Sequence, residues 1–149
     1  KSLIEYSAKH LLHAWSGVNN DVKGVFLEDS KSKIAISANI ADFDSGISNR
    51  DSNAIRVLNA LNFPNVKFFS DDILISSDSI ELSGELDFHG KKVDKIVNAY
   101  FNKKNDTLTI EGKFPIILTD FDIKLPSLML VKMDDLAKIN FKLIFKKSN

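Results

Sequence analysis

The sequence predicts an all-β protein, an antiparallel extended β-barrel of about eight strands with one α-helix. Residues 80–89 alternate between apolar and polar side chains, as a strand with one buried and one solvated face does. The same alternation recurs along most of the chain, and only residues 50–62 switch to helical spacing. Strands whose apolar faces share one interior favour a barrel, and about eight of them leave room for side chains or one slim ligand.

The strands before the helix are predicted from this two-residue period. Residues 2–9 and 22–27 alternate, and residues 33–43 do so most clearly, with Ile34 and Ile36 on the apolar face. These segments form the first part of the predicted barrel wall.

The helix is predicted from apolar residues that recur every three positions. In residues 50–62 these are Ile55, Leu58 and Leu61, the spacing of an amphipathic helix of about three turns. Pro64 is expected to end it, because proline disfavours helical backbone at the preceding residue. The candidates for its N-cap are Asn49, Asp51 and Ser52.

After the helix the two-residue period returns and continues to the C-terminus. The predicted strands are residues 66–70, 73–76, 80–89, 93–102, 107–119 and 136–146. Residues 89–92 predict a turn, and residues 103–106 a polar hairpin loop. Gly84 and Gly112 lie in mid-strand on the apolar face, where a bulge, a bend or a close approach is expected. Residues 125–130 predict an apolar loop or short edge element.

The composition excludes several classes of function. Twenty basic residues balance twenty acidic ones for a net charge of +0, which argues against a nucleic-acid-binding protein. No apolar run approaches the roughly 20 residues that span a bilayer, so the chain is not expected to cross a membrane. Cysteine is absent, which excludes disulfides and thiolate chemistry. We therefore expect one domain over residues 1–149, with no cofactor.

Several segments resemble the YceI-like family of bacterial proteins. They are residues 6–10 (YSAKH), 15–18 (WSGV), 22–26 (VKGVF), 49–51 (NRD), 61–68 (LNFPNVKF) and 82–91 (LSGELDFHGK). They occur in the family's order and span most of the chain. Two features depart from the family pattern: residues 118–122 (LTDFD) lack an arginine, and the helix has Asn53 or Ala54 where a histidine is usual.

The resemblance implies a lipocalin-like barrel with a long apolar channel for polyisoprenoid or other lipid-like chains. It also implies a periplasmic or secreted protein. The chain starts at Lys1, which is expected of a protein whose signal peptide has been removed, although a trimmed sequence would look the same.

The histidines are the first candidates for chemistry. His10 and His13, with His89 elsewhere, suggest a metal site, but residues three apart on a strand point to opposite faces. Only a turn after Lys9 would bring them together. We therefore interpret them as polar residues at the mouth of the barrel and predict no metal site.

Arg50 and Asp51 allow two interpretations. Arg50 offers a planar fork of donors to an anionic headgroup. Alternatively, Asp51 caps the helix and Arg50 pairs with a nearby carboxylate. No phosphate-binding loop, nucleophile elbow or zinc-protease motif is present, so an enzyme is not expected.

The leading hypothesis is a non-enzymatic carrier that holds a long apolar molecule, such as an isoprenoid, a quinone or a fatty acid, inside the barrel. Binding would come mainly from apolar burial. Headgroup contacts at the mouth are assigned to His10, His13 and Arg50. The predicted ligand contacts are Trp15 on the loop after the first strand and, on inward strand faces, Phe26, Ile36, Ile40, Phe68, Leu82, Leu86, Phe88, Val97, Phe101, Phe114 and Phe141.

Two alternatives to the carrier remain open at this point. The apolar strand faces also fit a filled core, in which case the protein is an interaction or stress-related module acting through its surface. The apolar cluster around Leu128 would then pack on the barrel or meet a partner. A metal-dependent enzyme built on the histidines is the third possibility. A homodimer is left open, because a barrel rim and a dimer seam give the same sequence pattern.

Overall fold

The computed structural model describes residues 1–147 and is built on one strongly curled antiparallel sheet. The strands are β1 (Leu3–His10), β2 (His13–Asn19), β3 (Lys23–Leu27), β4 (Lys33–Asn39), β5 (Asn65–Ser76), β6 (Ser79–Phe88), β7 (Lys91–Lys104), β8 (Thr107–Ile117), β9 (Ser127–Leu128), β10 (Val131–Lys132) and β11 (Leu136–Lys146). Within the described residues, the main sheet has nine strands in the order β2-β1-β11-β8-β7-β6-β5-β4-β3. The predicted antiparallel all-β barrel with one helix is confirmed.

The two edges of the sheet, β2 and β3, approach other parts of the wall. Val18 of β2 exchanges two backbone hydrogen bonds with Asp44, at 2.9 and 3.0 Å. The ring of Phe26 on β3 lies 5.9 Å from that of Phe145 on β11, measured between centroids. The buried Asn19 donates from Nδ2 to the carbonyl oxygen of Asn39 at 3.0 Å. These contacts draw the curled sheet into a barrel-like shell.

The structure corrects several predicted strand boundaries. Trp15, expected on a loop after the first strand, lies in strand β2 (His13–Asn19). Residues 66–70 and 73–76 belong to one strand, β5, whose register with β6 shifts between Phe69 and Asp72. The strand predicted over residues 33–43 ends at Asn39.

Both mid-strand glycines have the close approaches that their position predicted. A Cβ on Gly84 would collide with the carbonyl oxygen of Phe69 at the bulge in β5 and lie 2.6 Å from Cζ of Phe68. A Cβ on Gly112 would lie 3.0 Å from Cζ of Phe141. The absence of side chains at these glycines lets the two rings lie close against the wall.

The helix α1 (Ser48–Val57) is shorter than predicted, and its N-cap is Ile47, with no side-chain cap hydrogen bond. The predicted caps Asn49, Asp51 and Ser52 all lie inside it. It ends because Asn59 takes a positive φ of 51°. The amide of Ala60 then donates a hydrogen bond to the carbonyl of Ile55, and the amide of Asn59 donates one to the carbonyl of Arg56. These two bonds are those of a Schellman motif.

The buried apolar residues form two clusters. One, which includes Ile80, Leu108 and Ile110, packs with Phe26 and Phe101. The other, which includes Phe88 and Phe121, packs with residues of α1 at the opposite end of the barrel. The helix therefore lies over one end, and the other end is filled by side chains.

Candidate functional site

An apolar cavity of about 780 Å³ runs through the barrel interior. Its walls draw on both core clusters: Ile36 and Leu82 belong to the first, and Leu86 and Phe88 to the second. The volume lies within the range of small-molecule binding sites in proteins. The interior of this barrel is therefore hollow.

The mouth of the cavity lies between α1, the turn that joins β1 to β2, and the hairpin formed by β9 and β10. His13 and Trp15 come from β2, Arg50 from α1, and Leu128 from β9. The mouth combines polar and charged groups, whereas the interior walls are almost entirely apolar. A ligand with an apolar chain and a polar end fits this distribution.

Arg50, His13 and Trp15 form a compact group at this mouth. Arg50 Nη2 lies 3.1 Å from His13 Nε2, and its guanidinium carbon lies 5.4 Å from the centre of the Trp15 ring. A guanidinium only donates, so His13 Nε2 accepts this hydrogen bond and carries no proton in this arrangement. The rings of His13 and Trp15 are stacked at 5.7 Å. The cation is thus held on the rim of the cavity.

Tyr6 lies on the wall just inside this group. Burial raises the pKa of its hydroxyl above the ordinary value of 10.0, the Asp51 carboxylate raises it further, and the Arg50 guanidinium opposes both. Desolvation has this sign because it disfavours the phenolate. Tyr6 is therefore a neutral hydroxyl group at physiological pH.

Asp51 does not have the predicted role of helix cap. Its two carboxylate oxygens accept hydrogen bonds from the backbone amide of Ser45, each at 3.2 Å. Arg50 lies against His13 and Trp15, so the alternative in which it pairs with a carboxylate is wrong for this structure. Asp51 secures the segment before α1 instead of capping the helix.

Most of the predicted ligand contacts lie on the cavity wall. These are Trp15, Ile36, Ile40, Phe68, Leu82, Leu86, Phe88, Val97, Phe114 and Phe141. The three residues assigned to the mouth, His10, His13 and Arg50, also line it. Phe26 and Phe101 do not; they pack against the first core cluster, where Phe26 meets Phe145.

The three histidines do not converge. His10 and His13 face each other across the turn after β1, but His10 Nε2 donates to the carbonyl oxygen of Val131 at 2.7 Å. His89 Nδ1 donates to the carbonyl oxygen of Phe121 at 2.8 Å. Across residues 1–147, no three histidine, aspartate or glutamate side chains are grouped in a way that could hold a metal ion.

Several wall residues were not among the predicted contacts. They are mostly apolar and come from β1, the segment before α1, α1 itself and the C-terminal loops: Tyr6, Phe43, Ile47, Ala54, Val57, Leu58 and Met133. The helical spacing of Ala54, Val57 and Leu58 was a signal in the sequence that α1 turns an apolar face inward. The helix thus forms part of the cavity wall.

Comparison with known proteins agrees with this architecture. The family model described as "YceI-like domain" matches residues 1–145. The chain belongs to the YceI-like family. A UPF0312 protein of Pseudomonas aeruginosa is 27% identical over 137 residues, an alignment that covers 83% of this chain and 72% of that protein.

Solved structures of similar fold come from several bacteria. BcnA of Burkholderia cenocepacia superposes with a TM-score of 0.87 at 19% identity, over 97% of this chain and 96% of BcnA. A polyisoprenoid binding domain from Saccharophagus degradans, implicated in plant cell wall breakdown, gives 0.84 at 11% identity, over 99% and 94%. A YceI protein of Campylobacter jejuni gives 0.76 at 16%, over 89% and 85%. At these identities the likeness establishes the YceI fold.

Among the described residues, no helix has the length and apolar character to cross a bilayer.

Proposed function

We propose that this YceI-like protein is a non-enzymatic carrier that holds one long apolar molecule in its barrel. The observation that carries the proposal is the apolar cavity of about 780 Å³, open at a polar mouth. Burial of apolar surface contributes about 25 cal/mol per Å² to binding, so a chain that fills the cavity needs few polar contacts. Isoprenoids, quinones and fatty acids share the required chemistry.

The mouth favours a ligand whose polar end is an acceptor or an anion. Arg50 offers further donors beyond the one it directs at His13, because a guanidinium carries five N–H groups. The neutral Tyr6 hydroxyl lies on the same part of the wall. We place the polar end of the ligand beside Arg50, within reach of His13, and its apolar chain along Leu86 and Phe68.

The related polyisoprenoid binding domain from Saccharophagus degradans supports an isoprenoid as one ligand class. A periplasmic or secreted location belongs to the same proposal, since a carrier of this kind moves an insoluble molecule through an aqueous compartment. Cell fractionation of the native source, with a periplasmic and a cytoplasmic marker, tests the location. Recovery with the cytoplasmic marker would contradict it.

Native mass spectrometry of the purified chain, followed by organic extraction, tests the carrier. We expect a stoichiometric adduct whose mass matches an apolar compound found in the extract. The same spectrum reports whether the chain is a monomer or the homodimer that its sequence leaves open. A bare mass that stays unchanged after incubation with isoprenoid quinones and fatty acids would overturn the carrier.

The alternative is an interaction module, and the exposed apolar hairpin of β9 and β10 favours it. Its filled-core form would leave no room for a ligand, whereas the barrel holds a cavity of about 780 Å³. A chain that takes up no apolar compound but loses self-association when Leu128 is replaced by serine would support this alternative.

A further inference from the structure

Two hairpin turns with apolar tips lie side by side at the mouth. One is the turn of Leu11 and Leu12 between β1 and β2, and the other that of Met129 and Leu130 between β9 and β10. The hydrogen bond from His10 to the carbonyl of Val131, at 2.7 Å, joins the two hairpins. A second, from the amide of Asp134 to the carbonyl of Lys9, at 2.9 Å, fixes their spacing. We call these four residues the paired tips.

The paired tips are apolar where folding favours polar residues or glycine. Met129 and Leu130 take φ values of 54° and 66°, the backbone of a two-residue turn for which Asn-Gly is preferred. The hairpin turns of the nine-stranded sheet after β5, β6 and β7 place Ser77, His89 with Gly90, and Asn105 at positive φ.

The side chains of the paired tips are also exposed, which is unfavourable in addition to the backbone conformation. Leu12 and Leu130 are fully exposed, and Met129 is 85% exposed. Leucine at positive φ is unfavourable, and its side chain gains nothing from the fold when it projects into water. The choice of residues at the paired tips therefore points to a contact outside the chain.

The paired tips are continuous with the cavity. His10 and His13 flank the first tip, Leu128 precedes the second, and all three line the mouth. Whatever the tips contact therefore lies directly at the opening. A ligand could pass between that contact and the cavity without crossing open water.

Two cations lie beside the tips. Lys9 precedes the first tip and Lys132 follows the second, and both are exposed. The acidic residue nearest the second tip along the chain is the exposed Asp134, whose amide bonds the carbonyl of Lys9. Exposed leucines beside lysines suit a lipid surface, where apolar side chains enter the acyl boundary and cations meet phosphate groups. Projecting side chains also suit a fluid surface, which has no fixed shape to match.

We propose that the paired tips dock the mouth of the cavity onto a lipid bilayer. The bilayer is where a long apolar molecule resides, so docking would let the ligand enter or leave the cavity at the membrane surface. Docking itself does not require the proposed ligand, and it is tested without one.

The test is co-flotation of the full chain with vesicles of phosphatidylethanolamine and phosphatidylglycerol. The tip variant carries Met129→Asn and Leu130→Gly, which builds the preferred turn residues into the hairpin. A second variant, Leu12→Ser, changes the other tip. The matched control carries Leu74→Ser and Ile96→Ser, which are 64% and 65% exposed on strands and do not line the mouth.

We expect the wild type and the control variant to float equally. Partitioning of the tip variant should fall about tenfold, and that of Leu12→Ser severalfold. The tip variant should also be at least as stable to denaturant as the wild type, because its new turn residues suit positive φ.

Three results would overturn the proposal, two of them simple flotation outcomes. One is a tip variant that floats like the wild type, and the other is a wild type that does not float at all. Equal losses in the tip and control variants would also overturn it, since they would show unspecific adhesion of exposed apolar side chains. Uptake of palmitic acid in solution is measured in parallel, so that a failure of the carrier function is seen separately from a failure of docking.

Discussion

The ring of Tyr6 lies directly against Gly17 on the neighbouring strand. The two residues are opposed in the register of β1 and β2, and a Cβ on Gly17 would come within 2.5 Å of Cε1 of Tyr6. A glycine facing an aromatic ring on the adjacent strand lets that ring cover the backbone. Phe68 lies against Gly84 and Phe141 against Gly112 in the same way. Glycines thus set where three rings of the cavity wall can lie.

The substitution Gly17→Ala should therefore displace the Tyr6 ring. We expect a loss of about 1–3 kcal/mol in the free energy of unfolding, typical of overpacking, measured by urea denaturation. In a Tyr6→Leu background the same substitution should cost less, because the smaller side chain leaves room for the methyl group. Equal costs in the two backgrounds would contradict this contact.

The raised pKa of Tyr6 predicts a loss of stability at alkaline pH. The hydroxyl keeps its proton more tightly in the folded chain than in the unfolded one. The contribution of this hydroxyl to the free energy of unfolding is therefore fully present below its pKa in the unfolded chain, about 10. It is lost as pH rises through the higher pKa of the folded chain.

This pH dependence is measured as the free energy of unfolding from pH 8 to 11, in the wild type and in Tyr6→Phe. The variant keeps the ring over Gly17 and leaves Tyr100 and every lysine in place, so the difference between the two curves belongs to the Tyr6 hydroxyl. We expect the free energy of unfolding of the wild type to fall relative to that of Tyr6→Phe as pH rises above about 10. Parallel curves over the whole range would contradict the assignment.

The sequence predicted the strands whose inward residues are apolar, and it failed where they are not. In β2 the side chains that share a face are Trp15, Gly17 and Asn19. Glycine there makes room for a ring, and Asn19 bonds the backbone of Asn39, so neither shows the apolar alternation that marks a strand.

The helix was likewise predictable in part. Its existence followed from spacing, but Leu61, the last residue of the predicted apolar stripe, lies beyond its end and is 93% exposed. The end of the helix depends on the backbone of one residue, Asn59. Asparagine tolerates positive φ well enough to end a helix, and this signal was present in the sequence five residues before Pro64.

The candidate site was predictable in its walls and not in its mouth. Inward strand residues such as Leu86 follow from alternation alone. The group of Arg50, His13 and Trp15 depends on how α1 packs against a strand some 35 positions away, which a local pattern does not contain.

Arg50 should distinguish a charged ligand from a neutral one. We expect Arg50→Gln to weaken the binding of palmitic acid by about 1 kcal/mol, roughly fivefold. The reason is the loss of a charge-assisted hydrogen bond at a partly exposed rim. Methyl palmitate, which has the same chain but no charge, should bind wild type and variant alike. Both affinities are measured by isothermal titration calorimetry. Equal losses of affinity for the acid and the ester would show that Arg50 acts through the shape of the mouth and does not contact the headgroup.

Leu86 should control access to the length of the cavity. It is buried on β6 and lines the wall, so Leu86→Trp places a larger ring into the space that an apolar chain would occupy. We expect uptake of an isoprenoid quinone to fall tenfold or more, with a stability change below about 1 kcal/mol because the ring enters a cavity and not a packed core. Quinone binding is followed by native mass spectrometry and folding by circular dichroism. Glu85→Trp, one position earlier on the exposed face of the same strand, is the matched control and should bind as the wild type does. A folded Leu86→Trp protein with unchanged uptake would show that the ligand does not run past this position.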